Sequence, residues 1–241
     1  MQVKKQNYID SAVKTINSEI EGLKSIIEVL NDDYVKVIEM ILNCKGRVIL
    51  SGMGKSGHVA NKIAATLAST GTPSFAIHPG EASHGDLGMI TPDDIVILLS
   101  NSGETKELSD ILFYCKRFSI PIVSFVRNAD SQLVRASEVP LVLSKAPEAN
   151  AVNAPTTSTT MMMALGDAIA VSLLEARGFD SENFGVFHPG GKLGAAFIRV
   201  QDIMRGAKDV PLVKEDLNMR EVLLEITSKH IGCTYWLYWC N

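Results

Sequence analysis

Arg47-Val48-Ile49-Leu50-Ser51-Gly52-Met53-Gly54-Lys55-Ser56-Gly57-His58 is an apolar strand pattern that runs through a glycine-rich turn into a helical pattern. Gly52, Gly54 and Gly57 allow a sharp turn and a close backbone approach to a ligand. The helix that follows offers unpaired N–H groups and the positive end of its dipole, so the stretch reads as an anion-binding turn. Two nucleotide readings fit it poorly. The dinucleotide fingerprint expects an acidic residue about 20 positions on, at the end of the next strand. That strand end reads Ser74-Phe75-Ala76-Ile77-His78-Pro79, without a carboxylate. A P-loop needs glycine where this chain has Ile49. A sugar-phosphate site and a ligand-free glycine turn remain.

Outward from this stretch, short apolar strands alternate with helical segments. Strands are expected near 47–51, 74–78, 95–100, 121–126 and 139–143, and helices over 57–69 and 104–117. The alternation predicts an α/β fold, a doubly wound parallel five-stranded sheet with helices on both faces. Ligands then sit beyond the carboxyl ends of the strands. Ahead of the sheet, within 8–43, Ile9, Val13, Ile16, Ile20, Leu23, Ile27 and Leu30 form one stripe on a long helix. That seam can pack on its own domain or on another subunit. Asn31-Asp32-Asp33 marks a break and a new N-cap. Behind the sheet, Ala154-Pro155-Thr156-Thr157-Ser158-Thr159-Thr160 heads a helix from Met161 to about Arg177, closed by Gly178. Its hydroxyls read equally as capping groups or as ligand contacts.

With 241 residues, 46% of them hydrophobic, the chain can bury a sizeable core. Its 23 basic and 27 acidic residues give a net charge of -4 with no basic block, which argues against nucleic acid as a partner. Apolar runs such as Ile95-Val96-Ile97-Leu98-Leu99 are strand-sized, and the first residues lack the apolar stretch of a signal peptide, so no membrane and a cytoplasmic location are expected. Cys44, Cys115, Cys233 and Cys240 lack Cys-x-x-Cys spacing, so neither a disulfide framework nor a zinc knuckle is implied.

A second cradle, Ser100-Asn101-Ser102-Gly103-Glu104-Thr105, follows the strand at 95–99. Hydroxyls and free N–H groups at a helix start suit a phosphate monoester, although the same residues also serve as ordinary caps. Two cradles on neighbouring strands point to one small phosphorylated ligand between them.

Together with Ala68-Ser69-Thr70-Gly71-Thr72-Pro73, His78-Pro79-Gly80-Glu81-Ala82-Ser83-His84-Gly85-Asp86-Leu87-Gly88 and the hydroxyl-rich helix start, these motifs resemble the SIS (sugar isomerase) domain family, and more closely its bacterial D-arabinose 5-phosphate isomerases. The likeness runs from about residue 10 to 200. It implies a flavodoxin-like fold and an aldose–ketose isomerase that interconverts D-ribulose 5-phosphate and D-arabinose 5-phosphate through a cis-enediol. That reaction supplies Kdo for lipopolysaccharide or capsule and needs no cofactor. The resemblance also implies Lys55, Glu107, Glu148 and His188 as catalytic candidates. Glu148 is the favoured base, its pKa expected to be raised by apolar walls. Lys55 would stabilise the enediolate or bind phosphate, and His188 would open the ring or shuttle a hydroxyl proton. Glu107 reads equally as an exposed helix carboxylate. Ser56, Gly71, Thr72, His84, Ser100, Asn101, Ser102 and Thr105 are the implied substrate contacts, with His84 supplied by a neighbouring subunit of a dimer or tetramer. His78 is a non-essential zinc contact in this scheme, although a histidine before proline also fits a structural role.

Around the base candidate the family carries Lys-Glu-Ala-Cys-Pro-Leu, whereas this chain has Pro147-Glu148-Ala149-Asn150-Ala151-Val152 and is one residue shorter. That difference leaves open an isomerase of another ketose phosphate. A non-catalytic phosphosugar-binding regulator is the other alternative, although no helix-turn-helix is recognisable. Residues 1–198 are expected to form the isomerase domain. Residues 199–241 resemble an incomplete CBS segment, with a departure near residue 232 that a truncation or a frame change would explain. Such a partial unit is expected to bind no nucleotide, and its apolar tail to be disordered or covered by a partner.

Overall fold

The computed structural model describes residues 2–187, 199–206 and 208–236. The chain divides into two compact units, Met1–Phe187 and His188–Asn241, ahead of the expected boundary after residue 198.

The first unit opens with α1 (Gln2–Ile26) and α2 (Asp32–Leu42), the latter capped by Asn31, whose side chain accepts from Asp33 N. Then come β1 (Val48–Gly52), α3 (Lys55–Ser69), β2 (Ser74–Ile77), the short α4 (Pro79–Ala82) and β3 (Ile95–Leu99). They are followed by α5 (Ser109–Arg117), β4 (Ile122–Val126), α6 (Gln132–Ala136), β5 (Val139–Val142), α7 (Thr157–Ala176) and α8 (Ser181–Phe187). The strands pair in parallel in the order β2-β1-β3-β4-β5. This is the flavodoxin-like order, with its switch point between β1 and β3. All five expected strands form within a residue or two of their expected bounds. The helix expected from 104 starts later, as a 3-10 turn (Lys106–Leu108) leading into α5.

β1, β3 and β4 are buried along their whole length, as central strands covered on both faces must be. One face carries Val48, Leu50, Ile97 and Phe125 against α2, α3 and α7; the other carries Ile49, Val96, Leu98 and Ile122 against α5 and α6. α7 is apolar and long enough, at 20 residues, to cross a membrane by length and composition alone, which the reading by apolar runs overlooked. Its apolarity instead belongs to the core: Met161, Met162, Leu165, Ile169 and Leu173 are buried, and Asp167 pairs with Lys62 on α3. A Cβ on Gly166 would lie 2.4 Å from Ile63, so α3 and α7 touch at a glycine.

Of the stripe on α1, Leu23 is half-buried against the core and the rest is not. Ile9, Val13, Ile16, Ile20, Ile27 and Leu30 are exposed, while the chain buries Gly22, Ile26 and Val29, and a Cβ on Gly22 would lie 2.5 Å from Thr157 on α7.

The second unit holds α9 (Val200–Ile203), a parallel pair β6 (Leu212–Val213) and β7 (Tyr235–Trp236), and α10 (Met219–Lys229). Asn218 and Glu221 close a reciprocal capping box on α10. Of the apolar tail at 233–241, Tyr235 and Trp236 pair with Leu212 and Val213, and residues 237–241 lie outside the described residues.

At the amino-terminal edge of the sheet, Asp94 is fully buried and accepts from Arg47 N at 2.7 Å, Thr91 N at 2.7 Å and Thr91 Oγ1 at 2.9 Å, with Arg47 Nε 3.6 Å away. Burial pushes its carboxyl up, but these bonds and the Arg47 charge outweigh it and hold it below the usual range. A carboxyl depressed in the folded state contributes stability above its unfolded value, which is lost as pH falls through the folded value. Asp94→Ala strands these buried donors and is expected to cost about 3 kcal/mol in urea unfolding at pH 7. The difference from the wild type should shrink towards pH 3.

Candidate active site

Because the sheet is parallel, the turns after Gly52, Ile77, Leu99, Val126 and Val142 all open at one edge. The first is the glycine stretch. Gly54 has φ +58° and heads α3 without a capping side chain, which leaves the first-turn N–H groups facing the space above that edge. Gly52 and Gly57 are required for contact: a Cβ on Gly57 would sit 2.5 Å from Gly52 O. Lys55, at the first position of α3, is exposed, and Ser56 is half-buried beside it.

The second turn is organised from within. Ser100 is buried, and its hydroxyl meets Thr105 Oγ1 at 2.7 Å and accepts from Gly103 N at 3.0 Å. Gly103 has φ +70° and packs where a Cβ would fall 2.1 Å from Ser131 Oγ. Ser100 and Thr105 therefore shape the loop from within, while Asn101 and Ser102 are exposed on it. Arg127 N donates to Asn101 O at 3.1 Å, tying the end of β4 to this cradle.

The third turn holds His78 and His84. His78 Nδ1 accepts from Gly80 N at 3.2 Å, so its imidazole caps α4, the structural role that the Pro79 context suggested. Ser83 on the same turn donates to Asp110 Oδ2 at 2.6 Å. α4 packs on the 3-10 turn that bears the exposed Glu107. His84 is exposed, ahead of Gly85 at φ +128°. Among the described residues no group of three or more His, Cys, Asp or Glu side chains is placed to hold a metal.

Glu148 is the most constrained group. Its Oε2 accepts from Thr156 N at 2.8 Å, Thr156 Oγ1 at 3.1 Å and Ser158 N at 3.3 Å. It thus serves as the cap of α7, whose own N-cap residue, Thr156, makes no side-chain cap bond. Oε1 is buried and accepts no hydrogen bond; Arg127 Nη1 lies 3.9 Å from it. The expected upward shift of this carboxyl is corrected here. Burial does push it up, but the Ser158 hydroxyl, the Thr156 and Ser158 N–H groups and the Thr156 hydroxyl together hold it below the ordinary glutamate value. Thr156 and Ser158 of the hydroxyl-rich run thus fasten a carboxylate, while the Thr157 hydroxyl is buried without a hydrogen bond. The shortened loop is fastened too, since Asn150 Oδ1 accepts from Val152 N at 3.2 Å and Ala154 N at 2.9 Å, and its Nδ2 donates to Ala154 O at 2.8 Å.

Gly71 and Thr72 are not brought to this edge. They precede β2, so they lie at the amino-terminal end of the sheet, where Arg177 Nη1 donates to Gly71 O at 3.1 Å and to the buried Thr72 hydroxyl. Phe179 covers Gly71, whose φ is +90°. Strand direction excludes their touching the same ligand as the cradles within one chain. His188 lies outside the described residues. Arg127 was missed in the sequence, where only its place just after an apolar strand marks it.

Residues 41–172 match the SIS domain family. The chain is 50% identical over 230 residues to "Arabinose 5-phosphate isomerase KdsD" of Pseudomonas aeruginosa, covering 95% of this chain and 71% of that protein. It is 47% identical over 218 residues to the Escherichia coli K12 protein of the same name, covering 90% of this chain and 66% of the relative. Among solved structures, c3406 of E. coli CFT073 in complex with arabinose 5-phosphate superposes with a TM-score of 0.74 at 38% identity, covering 76% of this chain and 98% of that one.

The clamp on Glu148 sets a titration. Its carboxyl signal in carbon-13 NMR should move at a pH below the roughly 4.3 of a free glutamate. Thr156→Val, which removes one donor, should raise that midpoint; an unchanged midpoint would show that the hydroxyl contributes nothing.

Proposed function

The chain belongs to the SIS domain family and, within it, to the arabinose 5-phosphate isomerases, and from that membership we propose that it interconverts D-ribulose 5-phosphate and D-arabinose 5-phosphate. The observation that carries the reading is the placement of two phosphate-sized cradles and a clamped carboxylate at one edge of one sheet. The phosphate sits between the glycine turn at 52–57 and the exposed Asn101 and Ser102, on neutral donors and the end of a helix dipole.

Glu148 moves the proton between C1 and C2. Its clamp keeps it ionised at neutral pH, which is the form a base requires, but a low pKa weakens the pull on a carbon-bound proton. The enediolate therefore needs a strong electrophile, and that role is assigned to Lys55, the cation at the mouth of the glycine turn. His188 is assigned to ring opening and to proton exchange between O1 and O2. Glu107 has a supporting part near the His78 turn. The protons all return to the sugar, so the steps balance without an oxidant. A sugar phosphate is ionic and does not diffuse through a bilayer, which argues for a reaction in the cytoplasm.

A homo-oligomer, dimer or tetramer, accounts for the exposed stripe on α1. His84 would then serve a neighbour's site. Ile16→Glu is expected to lower the oligomer mass in light scattering; an unchanged mass would remove α1 from the interface.

Incubation with pentose and hexose phosphates, with and without chelator, tests the substrate. Conversion of arabinose 5-phosphate should dominate and should survive chelation. Preference for another ketose phosphate would overturn the assignment, as would a bound but unconverted sugar, the mark of a regulator. Glu148→Gln should reduce exchange of the C1 or C2 proton with solvent deuterium by about 100-fold or more; near-normal exchange would remove Glu148 as the base.

A further inference from the structure

Arg127 follows β4 directly, with a side chain only 16% exposed. Three of its nitrogens touch three parts of the site. Its backbone N donates to Asn101 O at 3.1 Å, in the second cradle. Its Nε donates to Ser144 O at 3.1 Å, at the start of the loop that carries Glu148. Its Nη1 lies 3.9 Å from Glu148 Oε1, the one buried oxygen of that carboxylate that accepts no hydrogen bond. The loop start is held from the other side as well, by Ser25 Oγ on α1, 2.5 Å from Ser144 Oγ.

We propose that Arg127 is a positioning residue of the isomerase: it ties the cradle at 100–105 to the loop at 144–148 and holds the Glu148 carboxylate in one orientation for proton transfer. This rests on the reading of Glu148 as the proton-transferring base. The planar guanidinium is the side chain suited to the task, because one rigid group reaches the Ser144 carbonyl and the carboxylate at once. A lysine ammonium keeps the charge but cannot span both. The three donors on Oε2 fix one end of the carboxylate, and a rotation about that end would swing Oε1 out of its place. Arg127 opposes that rotation by attraction along the remaining direction. The phosphate, held by the cradles, is touched by none of this.

The consequence is a split between binding and chemistry. Misplacing a reacting group by about 1 Å costs about 100-fold in rate, so Arg127→Gln should lower kcat by about 10- to 100-fold while KM stays within about threefold of the wild type. Arg127→Lys should recover part of that loss. In a Glu148→Gln background, Arg127→Gln should change the residual rate by less than about twofold, because a residue acting through Glu148 has nothing left to position. Circular dichroism and thermal melting check that each variant folds; if Arg127→Gln does not, Arg127→Lys carries the test, with reduced kcat and unchanged KM expected. Wild-type kcat in the folded variant, a loss seen in KM alone, or a full additional loss in the Glu148→Gln background would overturn the proposal. If Glu148→Gln itself retained turnover, the reading of the base would fail instead, so the two failures are distinct.

Discussion

The site depends on the parallel pairing of β1 with both β2 and β3. A strand hydrogen-bonded on both sides and buried on both faces cannot shift register without exposing a row of apolar side chains. That fixes where Gly52 ends, and with it where α3 begins, because Gly57 rests against the Gly52 carbonyl with no room for a side chain. The same pairing sets β3 beside β1, so the two cradles are neighbours by topology. A parallel sheet also sends every strand's carboxyl end to one edge, and there the turns after β1, β2, β3, β4 and β5 meet.

The electrostatics divide between that edge and its opposite. At the amino-terminal edge, Asp94 is satisfied by three short hydrogen bonds and serves the fold. At the carboxyl edge, Glu148 is satisfied on one oxygen and not on the other. A buried carboxylate with an unbonded oxygen costs stability, and such costs are tolerated where the group has chemistry to perform. α7 supplies both sides of this arrangement: its body fills the core and its first turn holds the charge. A helix N-terminus that would bind an anion from solution here holds an anion from its own chain.

Much of the fold was legible because its signals are local. Buried runs such as Ile95–Leu99 and glycines bounding the turns are set by residues close in sequence, and period and length distinguish strand from helix. Both cradles were legible for the same reason, each being a contiguous run at a strand end. Less legible were the facts that depend on distant partners. The direction of the Glu148 shift turned on hydrogen bonds from residues eight and ten positions away, whose geometry only the start of α7 defines. Gly71 and Thr72 looked like part of the site because they fall between its motifs in sequence, yet the direction of α3 carries them to the far edge.

The order of residues along the chain was enough for the α/β alternation, the five strands, the two cradles and the family, since each rests on a contiguous pattern that burial or turn geometry demands. Which polar groups face one another came from the folded chain alone. Folding engaged the Ser100 hydroxyl inside its own loop, left most of the apolar stripe on α1 exposed, and placed Arg127 between Asn101, Ser144 and Glu148. Hydrogen bonds and ion pairs act over a few ångströms in space whatever the separation along the chain, and a linear pattern does not encode such distances.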